Sequence, residues 1–340
     1  MAEDYQIEFN KNFGQYKQLR TIKECFYHKK EECNGKIKQA HSIQRNKRLS
    51  IIDEEIDGNK VLYTFTEFEI GKEEFIKKLV PIGKGKASTF FGFCDYHDTS
   101  LFSEIENKEF DDSDKHCFLH SYRSFAHSYH RKMEEKKGNS VINPINKDYS
   151  ENFNQSLLKG NELAMKDLNF YKKFLDSWIE NNEFDQLEYY SVTLPGLYPI
   201  ACSSLISPFF SLNGQPINNH DNPDIPWSPI MLTVLPDFTQ TIIIFACFPN
   251  DKNGILFLDE LAELNDYQFK RAVSTSLIYY AENTFFSPLI WEKLGKKGQK
   301  LLCREIEKSI TMGMVKQPTK FEYTQLNFFE SQYEYSRLKK

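Results

Sequence analysis

At 340 residues the chain is long enough for two domains, each able to bury its own core. Apolar residues make up 40% and aromatics 15%, with 29 Phe and 18 Tyr, which excludes a disordered or fibrous chain. Net charge is −5, so the whole molecule carries no nucleic-acid-binding signature, and seven unevenly spread cysteines argue against a secreted disulfide framework.

The N-terminus does not resemble a signal peptide, and the most apolar run, Thr241 to Phe248, is too short to cross a bilayer. A cytoplasmic protein with no membrane association is expected. Residues 1–20 are polar and read as a lead-in or short first helix. Charge is unevenly placed. From Lys11 to Arg48 stand eleven Lys or Arg against three Glu, whereas Glu104, Glu106, Glu109, Asp111, Asp112 and Asp114 follow with only Lys108 among them. A basic face of this kind suits phosphate binding, although a merely solvated surface accounts equally well for the charge alone.

Cys25 and Cys33 stand with seven residues between them, and Cys94-x-x-His97 follows about sixty residues later. Two such pairs supply four soft ligands for one tetrahedral zinc, the second pair from a single turn. His28, at Cys25-x-x-His28, is an alternative to Cys33. Lys36-Ile37-Lys38 and Val61 to Phe65 have strand character, and Ile51 to Thr66 reads as a hairpin or excursion between the ligand pairs. His41 follows the first strand. Gly83-Lys84-Gly85 is a turn without the full pattern of a phosphate-cradling glycine loop. A helix opens at Cys94, and a second runs from about Asp114 to Lys136 on the spacing of Phe118, Tyr122, Phe125, Ala126 and Tyr129. His116, His120, His127 and His130 on this helix are expected on its solvated surface.

Gly138 to Ser150 is the clearest boundary, which predicts residues 1–137 as one domain, 138–150 as a linker and 151–340 as another. Residues 151–182 are helical by period. Tyr189 to Leu194, Ile200 to Leu205, Ile230 to Leu235 and Thr241 to Phe248 read as strands, and two or three helices return between Asp259 and Met312. Glu282-Asn283 reads as a helix C-terminus capped by Asn before a packed turn. Cys117, Cys202, Cys247 and Cys303 read as core. The expected fold class is α+β throughout.

At Ala40-His41-Ser42-Ile43 and Phe93-Cys94-Asp95-Tyr96-His97-Asp98 the chain resembles the HNH, or ββα-metal, nucleases in their treble-clef zinc form, over roughly residues 20–110. The resemblance implies a zinc-stapled module carrying a supporting helix, followed by a mixed α+β domain for sensing or partner binding. It implies zinc on Cys25, Cys33, Cys94 and His97, with His41 as general base and Asp98 holding a catalytic Mg²⁺ or Mn²⁺. The family's middle position, commonly Asn, falls near Ser88 or Thr89, which makes Thr89 the candidate to orient the histidine. The position before the first histidine, acidic or otherwise ligating in the family, is Ala40. Lys36, Lys38 and Arg45 would contact phosphates of a nucleic acid, DNA in preference to RNA. A bacterial anti-phage or restriction-type effector is the implied setting, and the alternative is a non-catalytic zinc scaffold that binds nucleic acid or protein. Oligomerisation is left open.

Overall fold

The computed structural model describes residues 14–65, 79–141, 151–218, 222–311 and 319–330, and the fold they form is mixed α and β. Its central feature is a sheet whose inner strands are apolar at nearly every position. Strand β7 (Ile200–Ile206), β8 (Ile230–Pro236) and β9 (Gln240–Cys247) are buried along almost their whole length. Alternate side chains go to opposite faces, as the two-residue period of a strand requires. Ile230, Leu232, Val234, Ile243, Phe245 and Cys247 enter one core, while Met231 and Ala246 enter another.

The first of these cores is closed by α5 (Lys252–Ala262), α6 (Asp266–Tyr279) and α7 (Pro288–Thr311). The second lies under α3 (Asp114–Val141) and α4 (Glu151–Asn181), which pack along each other. Beyond α3 sits a smaller layer. It comprises a two-stranded ladder, β1 (Ile37–His41) with β5 (Thr89–Cys94), and helix α2 (Asp95–Asn107). Phe26, Phe93, Phe102, Tyr122 and Phe125 interlock there, mostly edge to face.

Two sequence expectations meet their physical limits here. The expected excursion does form a hairpin, β2 (Glu54–Ile56) with β3 (Asn59–Phe65), and β4 (Leu79–Gly83) adds to β3. These strands continue the large sheet, in the order β2-β3-β10-β7-β8-β9-β6, with β6 (Glu188–Pro195) at the far edge. The joint is β10 (Thr284–Phe286), three residues long, pairing β3 on one side and β7 on the other. The sheet therefore draws strands from both sides of the predicted linker. Gly138 to Val141 finish α3, and 142–150 lie outside the described residues.

The second concerns the four helical histidines, expected at the surface. His116, His120, His127 and His130 are all buried. Helix α3 is covered on one side by the sheet and on the other by β5 and α2, so the positions of these four histidines have no solvent to face. Serines solve this on the sheet side, where Ser124 Oγ lies 2.8 Å from Ser203 Oγ and 3.0 Å from Thr233 Oγ1. Among the described residues no helix is long and apolar enough to cross a membrane.

Candidate metal centre and active site

Three backbone devices assemble the donors at one end of the β1–β5 ladder. The Glu24 and Phe26 amides donate to the Phe91 and Gly92 carbonyls, which lays Cys25 beside β5. Gly35, with φ +80°, lets the chain turn back after Cys33, and a Cβ there would stand 2.7 Å from the Asp95 side chain. Only glycine accepts that backbone and that contact without strain. The Asp95 and Tyr96 amides then donate to the Lys36 and Asn34 carbonyls, fixing the two chain turns against each other. Cys94 caps α2, its sulfur accepting from the His97 amide, so Cys94 and His97 share the helix's first turn.

The result is a compact set of four donors. The sulfurs of Cys25, Cys33 and Cys94 lie 3.4, 3.6 and 3.2 Å from His97 Nδ1. All four donor atoms fall within 4.8 Å of one another. A tetrahedral ion with zinc-like bond lengths puts sulfur and nitrogen ligands about 3.5 Å apart, so the donor set and its spacing fit a metal such as zinc. His97 Nε2 turns outward toward Glu32, at 3.9 Å. Burial pushes the Cys25 thiol up, and pushes Cys33 to about 12. Cys94 is also raised by burial, but backbone amides from His97 and Asn34 and the neighbouring thiols outweigh this and bring it below its ordinary value. A cation in the middle would deprotonate all three. His28 takes no part: its Nε2 lies 3.0 Å from Glu180 on α4.

At the other end of the ladder His41 stands opposite Thr89. Its Nδ1 is 2.9 Å from the Ala87 carbonyl, so Nδ1 carries the hydrogen and donates it, leaving Nε2 as the basic nitrogen. Nε2 has no hydrogen-bond partner among the described residues. Burial, opposed by the Ala87 carbonyl and reinforced by Arg45 and Arg123, holds the imidazole below its ordinary pKa and therefore neutral. Thr89 does not reach the histidine by a hydrogen bond. Its hydroxyl donates to the Lys86 carbonyl and accepts from Gln39, both at 2.9 Å.

The histidine's support comes instead from a residue that the sequence marked for another role. Asn283, expected as a helix cap, is buried and donates to Ser42 Oγ at 2.8 Å and to the Ser203 carbonyl at 2.7 Å. Ser42 in turn bonds the Ser88 carbonyl through its amide (2.9 Å) and hydroxyl (3.3 Å). Ser88 sits at φ +56°, a left-handed conformation that costs a residue with a Cβ about 1–2 kcal/mol. The large sheet thus clamps the turn whose carbonyl holds His41. Gln44 ties the same segment to α2 through the Ile105 carbonyl.

Asp98, in the first turn of α2, is largely buried, and burial raises its carboxyl above the ordinary range against the opposing pull of Arg123. Its Oδ1 makes no hydrogen bond, with the Arg123 guanidinium at 3.5 Å. Arg123 bonds Glu106 at 2.6 Å and stacks over Phe102 at 4.2 Å. Arg123 and Glu106 act electrostatically on both His41 and Asp98, which places the two in one charged neighbourhood. The Cys25, Cys33, Cys94, His97 set is the one grouping of three or more metal-type donors among the described residues, so His41 and Asp98 form no second such cluster. Of the expected phosphate contacts, Lys38 pairs with Asp95 at 2.9 Å, while Lys36 and Arg45 are exposed. No family model, curated protein or solved structure matches this chain, so the HNH likeness rests on the residues just described.

Proposed function

We propose that the chain is a metal-dependent endonuclease of the HNH type, hydrolysing DNA phosphodiesters, with zinc on Cys25, Cys33, Cys94 and His97 holding its active-site ladder. The observation that supports this most is the state of His41. It is a neutral imidazole, pinned through Nδ1 to the Ala87 carbonyl, on the ladder whose other end meets the four-donor cluster. That is the arrangement a general base needs, because the anchored nitrogen cannot take the proton and the free one can.

In this reading Nε2 takes a proton from water as its oxygen forms the new bond to phosphorus. The P–O bond to the leaving oxygen breaks, and that oxygen is protonated from solvent. Asp98 suits a hard divalent ion, since its Oδ1 is a buried acceptor without a hydrogen bond. Mg²⁺ or Mn²⁺ is typically held by one or two carboxylates plus phosphate oxygens, and supplies charge stabilisation to the pentacoordinate phosphorus. Lys36 and Arg45 would contact flanking phosphates. Residues 151–340 would sense a signal or bind a partner, as in an anti-phage or restriction-type effector. A reducing compartment such as the cytoplasm suits seven free cysteines.

A second reading, a zinc-stabilised binding module without catalysis, is favoured by Arg123, a cation already beside Asp98. Purified protein with Mg²⁺ or Mn²⁺ separates the two. The nuclease nicks supercoiled plasmid DNA and loses this with His41→Ala at unchanged zinc content; the binding module leaves the plasmid intact in both forms.

A further inference from the structure

The turn that holds His41 also lines a cavity. Residues Lys84 to Ser88 connect β4 to β5, and the Lys86 and Ala87 carbonyls are the ones that accept from Thr89 and His41. The same turn joins the start of β3 around a cavity of about 730 Å³. Arg45, Asn59, Lys60, Lys84, Gly85 and Lys86 line it, which makes four cations and no carboxylate among the lining residues.

The cations divide into two kinds. Lys84 is fixed as part of the floor, paired to Asp53 at 2.6 Å and donating to Ser50 at 2.9 Å. Lys60 leans on Glu55 at 3.4 Å and Asp53 at 3.9 Å. Arg45 and Lys86 are exposed and have no anionic partner among the described residues. Arg45 extends over Gly85, whose missing side chain leaves the backbone approachable. Two uncommitted cations above two fixed ones make a site for negative charge. The volume is that of a nucleotide-sized ligand or larger. A single phosphate is better served by a tight nest of backbone amides than by long side chains spread round an open cleft.

We propose that this cavity is a phosphodiester-backbone subsite, in which Arg45 and Lys86 take the strand that flanks the bond presented to His41. It gives a role to the start of β3 and to Lys86, which the HNH resemblance leaves without one. It rests on the reading that the protein handles nucleic acid, and not on whether it cuts. Its ligand is recognised by charge along a strand and not by base identity, as backbone contacts generally are.

The test is fluorescence anisotropy with a fluorescein-labelled DNA duplex of arbitrary sequence, using full-length protein in the His41→Ala background so that the probe stays intact. Arg45→Ala/Lys86→Ala should weaken binding about tenfold and flatten the plot of log Kd against log salt by roughly one to two contacts. Lys252→Ala/Lys300→Ala, exposed cations elsewhere, should leave both unchanged. Equal affinity and equal salt slope in the cavity variant overturns the proposal, as does a parent protein that binds no DNA. Loss of the cutting reading looks different: the plasmid stays intact with the wild-type chain while the affinity difference persists.

Discussion

The two ends of the β1–β5 ladder do opposite things with the same residue types. At the Ile37–Cys94 end, three sulfurs and an imidazole converge until every donor is within bonding range of a common centre. At the His41–Thr89 end, an imidazole is held at one nitrogen and left open at the other, within the field of Arg123 and Glu106. Four strand residues at about 3.3 Å each set the two ends some 13 Å apart. The closed end could be satisfied by a single ion; the open end leaves Nε2 of His41 without a hydrogen bond among the described residues.

The largest way to break this contrast is to remove the closed end. Cys94→Ser takes away a thiolate while leaving a hydroxyl able to cap α2, and structural zinc sites contribute on the order of 10 kcal/mol of apparent binding free energy. Metal analysis should find one zinc per wild-type chain and a sharp loss in the variant. Thermal melts should show a large fall in stability, matched by the wild type after strong chelation. Equal melting of chelated and loaded protein would mean the cysteines are simply packed side chains.

Asn283 sharpens the contrast from the other side, because it tests whether the open end is clamped from the large sheet. Asn283→Ala removes two buried hydrogen bonds and should cost about 2–3 kcal/mol in denaturant unfolding. Cleavage should lose kcat with KM little changed, since the residue acts on His41 through Ser42 and the Ser88 turn. A uniform rise in KM instead would assign Asn283 to substrate binding.

A smaller effect comes from the buried histidines of α3. Burial depresses the pKa of His120, His127 and His130 below the ordinary value of 6.5. For such groups the unfolded chain binds more protons than the folded one once pH drops below 6.5, so stability is full above that value and declines as pH falls. Denaturant midpoints measured from pH 7.5 down to 5 should fall steadily, and His127→Phe should soften that fall. A flat profile would place these imidazoles in contact with water.

Much of this was legible in the residues. Cys94-x-x-His97 marked a helix start and half the donor set, and the 3.6-residue spacing of Phe118 to Tyr129 marked α3. The runs of β7, β8 and β9 were legible because burial on both faces leaves few polar positions to break them. What escaped were contacts between elements far apart in the chain. Asn283 meets Ser42 across 241 residues, and no local pattern announces it. Strand β10 is too short for a two-residue alternation to register, so the joining of β3 to the second-half strands was invisible. The histidines of α3 read as a wet face because periodicity reports where apolar residues lie, and not what covers the others. Arg123 went unmarked for the same reason, and Glu106 was noted only as part of an acidic run.

The open end is proposed to present a working base. The measurement that reaches it most directly is the single-turnover rate of DNA cleavage against pH, at saturating Mg²⁺ or Mn²⁺, for the wild type and His41→Ala. With His41 neutral and depressed by burial, the wild-type rate should rise with pH along an acid limb whose midpoint lies below 6.5, then level off. His41→Ala should be slower by roughly 10²–10⁴-fold and lack that limb. A wild-type profile with no such limb, or an alanine variant that retains both the limb and the rate, would contradict the assignment.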